Sequence, residues 1–281
     1  MVARLGVVVL QGRLLGDTPL RVIEVAVQLR TLCNLSSVTS KGDVERFIGK
    51  MGRRAHLPDY TMTTVGPFQP GIFLREVDGE LVGFECQWGR IRPGQPGRIE
   101  YKETPPKRPG AAPRKAPMNK NNARSETMAK SPAFRDAWKR GQRCLIPADW
   151  LQEPNWETGK NIWWKLQRAD GLPWMVAGLW SEWVDPETGE VVPNFAMITF
   201  NVDDHPLLNR LHKPEVDKAT GSVLPADQQD KRGEASIEPA QWDAWLTGTT
   251  DDALALLKPP PVEAFDPTWA RLTDSALQQL V

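Results

Sequence analysis

Four kinds of side chain in this sequence carry groups that can do covalent or proton-transfer chemistry. A cysteine thiol becomes a nucleophile when a nearby base takes its proton. The chain has three cysteines, Cys33, Cys86 and Cys144. Asn122 can orient a reacting group or stabilise developing charge, and Glu153, close to tryptophans in the sequence, can act as a general acid or base. His205 and His212 are candidate proton-transfer groups on one loop.

Spacing alone does not join these groups into one site. A lone cysteine is more often a small hydrophobic core residue than a nucleophile. A lone loop histidine is usually a surface polar group. Asn122 is equally consistent with a turn residue, and Glu153 with a solvated carboxylate. From the residues alone, both the catalytic and the structural interpretations stay open.

The elements that must position these residues can be read from local patterns. Residues 121–127 are polar, lack an apolar period and close a Pro-rich basic segment, 104–125, that contains no acidic residue. A helix over 132–140 is predicted to follow, with Ser131 as N-cap and Gly141 as its stop. We therefore expect Asn122 and Arg124 on a loop held by a rigid element, where functional residues are common.

Other patterns predict a fold of class α+β, mostly antiparallel β with peripheral helices. Val77–Glu80 reads as a hairpin turn and 149–160 as a turn-rich excursion that carries Glu153. The further predicted elements are helices at 44–54, 239–246 and 251–257, and strands at 32–39, 71–75, 143–148, 161–167, 174–183 and 195–200.

Composition narrows the class of protein. The chain has 281 residues, 40% apolar and 25% charged, with net charge zero and twelve tryptophans, which is typical of a soluble globular protein. Any nucleic-acid binding must then come from a local basic patch. Three cysteines without metal spacing predict no disulfide framework, no structural zinc and no cofactor, in a reducing cytoplasmic compartment. The apolar run Val7–Leu10 is too short to span a membrane.

Two motifs carry a family resemblance. The segment Asn122-Ala123-Arg124-Ser125-Glu126-Thr127, and Arg143-Cys144-Leu145-Ile146-Pro147-Ala148-Asp149 followed by Glu153, closely resemble the SOS response-associated peptidase (SRAP) family of abasic-site processing proteins. Trp88-Gly89, Ala177–Trp180 and the Leu211–Pro214 segment fit the same family. The resemblance runs from about Cys33 to about Pro261.

The resemblance implies a barrel-like fold and a specific reaction. In this family a cysteine that follows the initiator methionine reacts with the ring-opened aldehyde of an abasic site in single-stranded DNA. Its α-amine forms a Schiff base, and its thiol closes a thiazolidine ring, which gives a stable DNA–protein crosslink. By motif, Cys33 is that nucleophile, Asn122 orients it, Glu153 exchanges protons around the Schiff base and His212 assists at the sugar oxygen.

The resemblance also implies DNA-binding residues. Arg124 would hold a phosphate, Trp88 would stack on or splay bases, and Arg143 would add a further contact. The chemistry is sound without the family: an amine must be neutral to attack an aldehyde, and an α-amine with a pKa of about 8 suits this better than a lysine. A 1,2-aminothiol then traps the aldehyde because the second nucleophile is already adjacent.

The sequence departs from the family at its start, because Cys33 does not follow Met1 and its nitrogen is an amide. We favour translation starting at Leu32, which would make residues 1–31 an artefact. The alternatives are a propeptide removed by autoproteolysis, or a protein that has lost crosslinking and only binds DNA. The predicted organisation is a 1–31 extension, a domain over 32–265 and a tail over 266–281.

Smaller departures affect the site. The family often shows a histidine followed by two residues and Met-Pro, whereas this chain has His212-Lys213-Pro214; His205 is the competitor, and we prefer His212. Trp150 and Gln152 replace the small and aromatic residues usual before the glutamate.

Crosslinking through a Schiff base would bring a lyase side activity. Two other functions are alternatives to crosslinking. One is a cysteine-dependent peptidase, a hydrolase that uses Cys33, Glu153 and His212. The other is a non-catalytic single-stranded DNA-binding module. The expected partner is single-stranded DNA with abasic sites, without a membrane, and the expected state is a monomer.

Overall fold

The computed structural model describes residues 35–106, 108, 110 and 112–266. The predicted extension, Cys33 and the predicted tail from residue 267 onward lie outside the described residues. The strands are β1 (Leu35–Ser37), β2 (Ala55–His56), β3 (Thr64–Val65), β4 (Pro70–Val77), β5 (Glu80–Trp88), β6 (Tyr101–Thr104), β7 (Arg114–Pro117), β8 (Asn122–Arg124), β9 (Arg143–Ala148), β10 (Trp150–Asn155), β11 (Ile162–Gln167), β12 (Trp174–Val184), β13 (Val191–Asn201) and β14 (Arg232–Glu234). The α-helices are α1 (Lys41–Lys50), α2 (Arg135–Lys139), α3 (Trp242–Leu246) and α4 (Thr250–Ala255).

Five strands close into a small barrel. They follow the order β13-β12-β9-β4-β5, and the ring closes where β5 pairs in parallel with β13, Trp88 opposite Phe195. All other neighbours around the ring are antiparallel. Strands β2, β8 and β14 extend this sheet at its margins. The predicted α+β class with a barrel-like, mostly antiparallel core is therefore confirmed.

A second antiparallel sheet, in the order β11-β10-β1-β3, shares its core with the barrel. Leu151 of β10 and Trp164 and Leu166 of β11 belong to the same cluster of buried apolar residues as the barrel strands. Every residue of β9 is buried, as expected for a strand covered on both faces. The helices are short and peripheral, and none in the described part is long and apolar enough to cross a membrane.

Local turn and cap chemistry explains several element boundaries. The predicted hairpin turn is confirmed: β4 and β5 meet at Asp78 and Gly79, whose φ values of 53° and 86° are typical of the turn that matches strand twist. Helix α1 begins earlier than predicted, because the Ser40 hydroxyl accepts from the Asp43 amide at 3.2 Å and so caps the helix before Lys41.

Helix α2 begins at Arg135, not at Pro132 as predicted. Residues 132–134 form turns, with Ser131 carbonyl bonds to the amides of Phe134 and Arg135. The predicted stop is confirmed. Gly141, with φ 66°, donates to the Trp138 carbonyl, and Gln142 donates to the Ala137 carbonyl, which is the bond pattern of a left-handed helix end.

Three predicted loops are strands instead. The 149–160 excursion contains β10, because Trp150 to Asn155 pairs along its length with β11. The basic segment contains β7, which forms a separate two-stranded hairpin with β6, the strand that ends where the segment begins. The segment that holds Asn122 and Arg124 is β8, paired in parallel with β13. Turn-forming residues predicted loops in these segments. Pairing with strands distant in the sequence makes them strands, and the local pattern does not reveal that pairing.

The barrel predicts the effect of a methyl group at Gly178 of β12. A Cβ there would lie 2.6 Å from Ile146 Cδ1 and 3.1 Å from the Ala196 carbonyl oxygen, so Gly178→Ala should lower the free energy of unfolding by about 1–3 kcal/mol through overpacking. Gly49→Ala is the matched control: nothing lies within 4 Å of its Cβ, and alanine in helix α1 should raise stability by about 0.5–1 kcal/mol. Urea denaturation of both variants measures this, and equal effects would contradict the close packing.

Candidate active site

Strand β10 carries Glu153 into the interior. Glu153 pairs with Trp164 of β11 and its side chain is 2% exposed. The next two residues of the strand hold the segment that contains His212. The Pro154 carbonyl accepts from the His212 amide at 2.6 Å, and Asn155 Nδ2 donates to the Arg210 carbonyl at 3.1 Å. The same strand therefore positions both predicted proton-transfer residues.

Glu153 and His212 lie side by side. His212 Nε2 is 3.4 Å from Glu153 Oε2 and 2.9 Å from the carbonyl oxygen of Arg232. Because both neighbours of Nε2 accept hydrogen bonds, this nitrogen carries the proton and Nδ1 keeps its lone pair. Burial lowers the pKa of His212 to about 4, so the ring is neutral at pH 7 and can exchange a proton without starting from a cation.

Lys231 holds the backbone of His212 in place. Its ammonium group donates to the carbonyl oxygens of Leu211 at 2.7 Å and of His212 at 2.8 Å. His212 has φ 62°, in the left-handed region that residues other than glycine seldom adopt. Burial lowers the pKa of Lys231. The lysine thus satisfies two carbonyl groups by hydrogen bonds, which helps to offset the cost of the unfavourable backbone conformation at His212.

Arg232 ties the His212 segment to the Asn-Ala-Arg-Ser-Glu-Thr motif. Its guanidinium, 4% exposed, donates to both carboxylate oxygens of Glu126 at 3.0 and 2.9 Å and to the Thr199 carbonyl at 3.0 Å. Its own carbonyl accepts from His212. Sequence reasoning missed Lys231 and Arg232 as positioning residues. Two adjacent basic residues have no distinctive pattern, and only Glu126 lay within a recognised motif.

Asn122 and Arg124 lie on the other side of β13 from Arg232. Thr199 pairs with Arg124 on β8 and with Glu234 on β14. Ala123 is fully buried, so Asn122 and Arg124 share the opposite face of their strand. Asn122 is half-buried and Arg124 is exposed. The structure therefore brings Glu153 and His212 into contact and connects them to the Arg124 strand through Arg232.

Burial argues against the DNA-binding roles that were predicted for two residues. Trp88 is 0% exposed; it stacks on Phe195 with 6.2 Å between ring centroids and donates to the Asn121 carbonyl, so its ring is a barrel core residue and cannot stack on a base here. Arg143, 3% exposed, donates to the carbonyls of Trp245 and Gly248. It anchors the end of α3 and cannot reach a phosphate.

The competing candidates have structural roles. His205 accepts at Nδ1 from the amides of Leu207 and Leu208, and its Nε2 donates to the Pro260 carbonyl at 2.9 Å, so both ring nitrogens are used. Cys86 and Cys144 are buried, and burial raises both thiol pKa values well above the usual range, which makes them poor nucleophiles. Among the described residues, no cluster of His, Cys, Asp or Glu could hold a metal ion.

Comparisons with known proteins give a family match and similar solved structures. The sequence model described as SOS response associated peptidase (SRAP) matches residues 106–271. A solved structure from Bordetella bronchiseptica is 29% identical, with TM-score 0.64 over 83% of this chain and 97% of that one. A Bacteroides thetaiotaomicron structure is 18% identical, with TM-score 0.56 over 83% of this chain and 90% of that one, and shares the fold. No curated protein matches the chain significantly.

The buried imidazole predicts a pH dependence of stability. Below pH 6.5 the unfolded chain protonates His212, whereas the folded protein does so only near pH 4. The free energy of unfolding should therefore fall as pH falls through this window, by about 3 kcal/mol in total. The difference between wild type and His212→Gln in denaturant titrations from pH 7 to pH 4 isolates this contribution. A constant difference across the window would show that the ring titrates normally.

Proposed function

The chain belongs to the SOS response associated peptidase (SRAP) family, and on that premise we propose that it captures abasic sites in single-stranded DNA as a covalent crosslink to Cys33. Membership supports a role in the SOS response and in abasic-site processing. The observation that carries the finer proposal is the contact between Glu153 Oε2 and His212 Nε2 at 3.4 Å. It pairs a buried carboxyl group with a neutral imidazole, which together can donate and accept protons.

The register of β1 supports Cys33 as the partner of this pair. Leu35, the first described residue of β1, pairs in antiparallel direction with Gln152, the residue directly before Glu153. Cys33 precedes Leu35 by two residues, a span of at most about 7 Å. Because Cys86 and Cys144 are buried barrel thiols, Cys33 is the cysteine that we assign to the reaction.

The proposed reaction has two bond-forming steps. The neutral α-amine of Cys33 attacks the aldehyde carbon, and the resulting carbinolamine loses water to give a Schiff base. Glu153 donates a proton to the departing hydroxyl, which leaves as water, and then removes a proton from the nitrogen of the resulting iminium ion. The thiol sulfur then adds to the imine carbon while its proton passes to nitrogen, which closes the thiazolidine. The net change is the loss of one water molecule.

The remaining residues would orient the substrate. Asn122, on the face of β8 that also presents Arg124, would hold the aldehyde oxygen or the amine by its amide group. Arg124 is exposed and would bind a backbone phosphate, to which a guanidinium can donate two parallel hydrogen bonds. A Schiff base at the sugar also eases β-elimination, so a lyase side activity is part of the proposal.

A peptidase is the second candidate, and one observation favours it. Thirty-two residues precede Cys33 in this sequence, and the amine is free only after they are absent or removed. Hydrolysis of the peptide bond before Cys33 by one water molecule, with Cys33, Glu153 and His212 as the catalytic groups, would expose the reactive amine. Such an activity tolerates a blocked amine at the start of the chain, whereas crosslinking does not.

The proposal predicts the mass of the protein after incubation with an oligonucleotide that carries one abasic site. A chain that begins at Cys33 should gain the oligonucleotide mass less one water. Cys33→Ser keeps the amine but loses the thiol, so it should give an adduct only after borohydride reduction. Glu153→Gln should slow crosslinking by about 10²- to 10⁴-fold, the usual contribution of a positioned acid–base group.

The matched control is the same chain with its α-amine acetylated, which should form no adduct by either route. An adduct that persists after acetylation, or in a Cys33→Ala variant at the wild-type rate without reduction, would refute the assignment. Release of residues 1–32 from the full chain without any adduct would favour the peptidase.

A further inference from the structure

Arg124 already has an anionic partner in this structure. Its Nη1 donates to Asp230 Oδ2 at 2.8 Å. Each side chain is 46% exposed, so the pair faces solvent and a ligand can reach it. In this structure the Arg124 guanidinium therefore binds the Asp230 carboxylate. Carboxylate oxygens accept hydrogen bonds from a guanidinium much as phosphate oxygens do.

The position of Asp230 is built by its surroundings. The amides of Asp230 and Lys231 both donate to the carboxylate of Asp203, at 3.1 and 2.7 Å. Asp230 itself has φ 51°, a backbone conformation that aspartate and asparagine tolerate better than most residues. Its second oxygen, Oδ1, lies 3.2 Å from Arg232 Nη1. The carboxylate thus bridges the exposed Arg124 and the buried Arg232.

We propose that Asp230 takes the place of a DNA phosphate on Arg124 and is displaced when single-stranded DNA binds. This inference deepens the proposed function and rests on it. Exposed ion pairs contribute little to stability, so a phosphodiester can displace the carboxylate at low cost. The displaced Asp230 keeps its contact with Arg232, whose carbonyl accepts from His212. The proton-transfer pair therefore stays positioned in both states.

The exchange has a consequence for specificity. Each strand that binds must first compete with Asp230 for Arg124, which weakens binding to all DNA by the same factor. A strand with an abasic site offsets this loss by reacting with Cys33, whereas an intact strand cannot. Asp230 thereby acts as a specificity-determining residue that shortens the residence of intact DNA on the protein.

The test measures the dissociation constant of an intact, labelled single-stranded oligonucleotide by fluorescence anisotropy at one fixed salt concentration, since phosphate binding depends steeply on salt. Asp230→Asn should bind about 1.5- to 5-fold more tightly than wild type, the range expected from loss of one exposed ion pair. Asparagine keeps the left-handed backbone. Asp230→Gly, which also tolerates this φ, is the second variant should Asp230→Asn fail to fold.

Two comparisons separate displacement from a general change of charge. In an Arg124→Ala background, Asp230→Asn should give no gain, because the cation for which it competes is absent. Glu187→Gln changes net charge equally. Glu187 lies in the turn that precedes β13. Val191, at the start of that strand, is eight residues from Thr199, the partner of Arg124, a separation of roughly 26 Å along the strand. This control should leave the dissociation constant unchanged.

The outcomes distinguish this inference from the proposed function. The displacement is overturned if Asp230→Asn binds the oligonucleotide as weakly as wild type, or if it gains as much affinity in the Arg124→Ala background. Binding by the wild-type protein would in either case still support DNA as the partner. Wild-type protein that fails to bind the oligonucleotide at low salt would overturn both.

Discussion

The site depends on the hydrogen bonds that the buried Arg232 makes. Its side chain holds Glu126 with two hydrogen bonds and contacts Thr199, while its carbonyl accepts from His212. A buried charge is stable only when it is paired and hydrogen-bonded, so these partners must all be present together. Strands β8, β13 and β14 are thereby locked in one arrangement, with the proton-transfer pair on one side and Arg124 on the other.

The barrel and the second sheet each position part of the candidate site. β13 belongs to the barrel and carries β8 and β14 on its two edges. β10 belongs to the second sheet and brings Glu153 inward, and its last residues hold His212. Both sheets share one apolar core, and hydrogen bonds from β10 to the irregular segment that contains His212 fix the distance between Glu153 and His212. Such support from rigid elements is what a preorganised site requires.

Burial also determines the electrostatics of the site. A dry environment disfavours the charged imidazole and lowers the pKa of His212, whereas the exposed Arg124 and Asp230 keep their charges in contact with solvent. In the proposed function, the interior would provide neutral proton exchange and the exposed pair would provide recognition of a polyanion. Under that proposal, this separation would let a chain with no net charge offer a local site for DNA.

The sequence by itself determined the features that depend on neighbouring residues. Asp78-Gly79 and Gly141 specify their turns because few residues adopt positive φ, and the apolar run of β9 specifies a buried strand. The Asn122–Thr127 and Arg143–Asp149 motifs identified the family, and with it Glu153 and His212, which the structure then brought into contact.

Only the tertiary structure decided which polar and aromatic groups reach solvent. The family resemblance implied that Trp88 and Arg143 bind DNA, yet their partners Phe195 and Trp245 lie far away in the chain and bury them. Glu153 was assigned to a turn because its pairing with β11 leaves no periodic pattern in a segment rich in turn formers. Lys231 and Arg232 resemble any surface basic pair until folding buries them beside His212. Exposure depends on long-range packing, which local residue patterns do not encode.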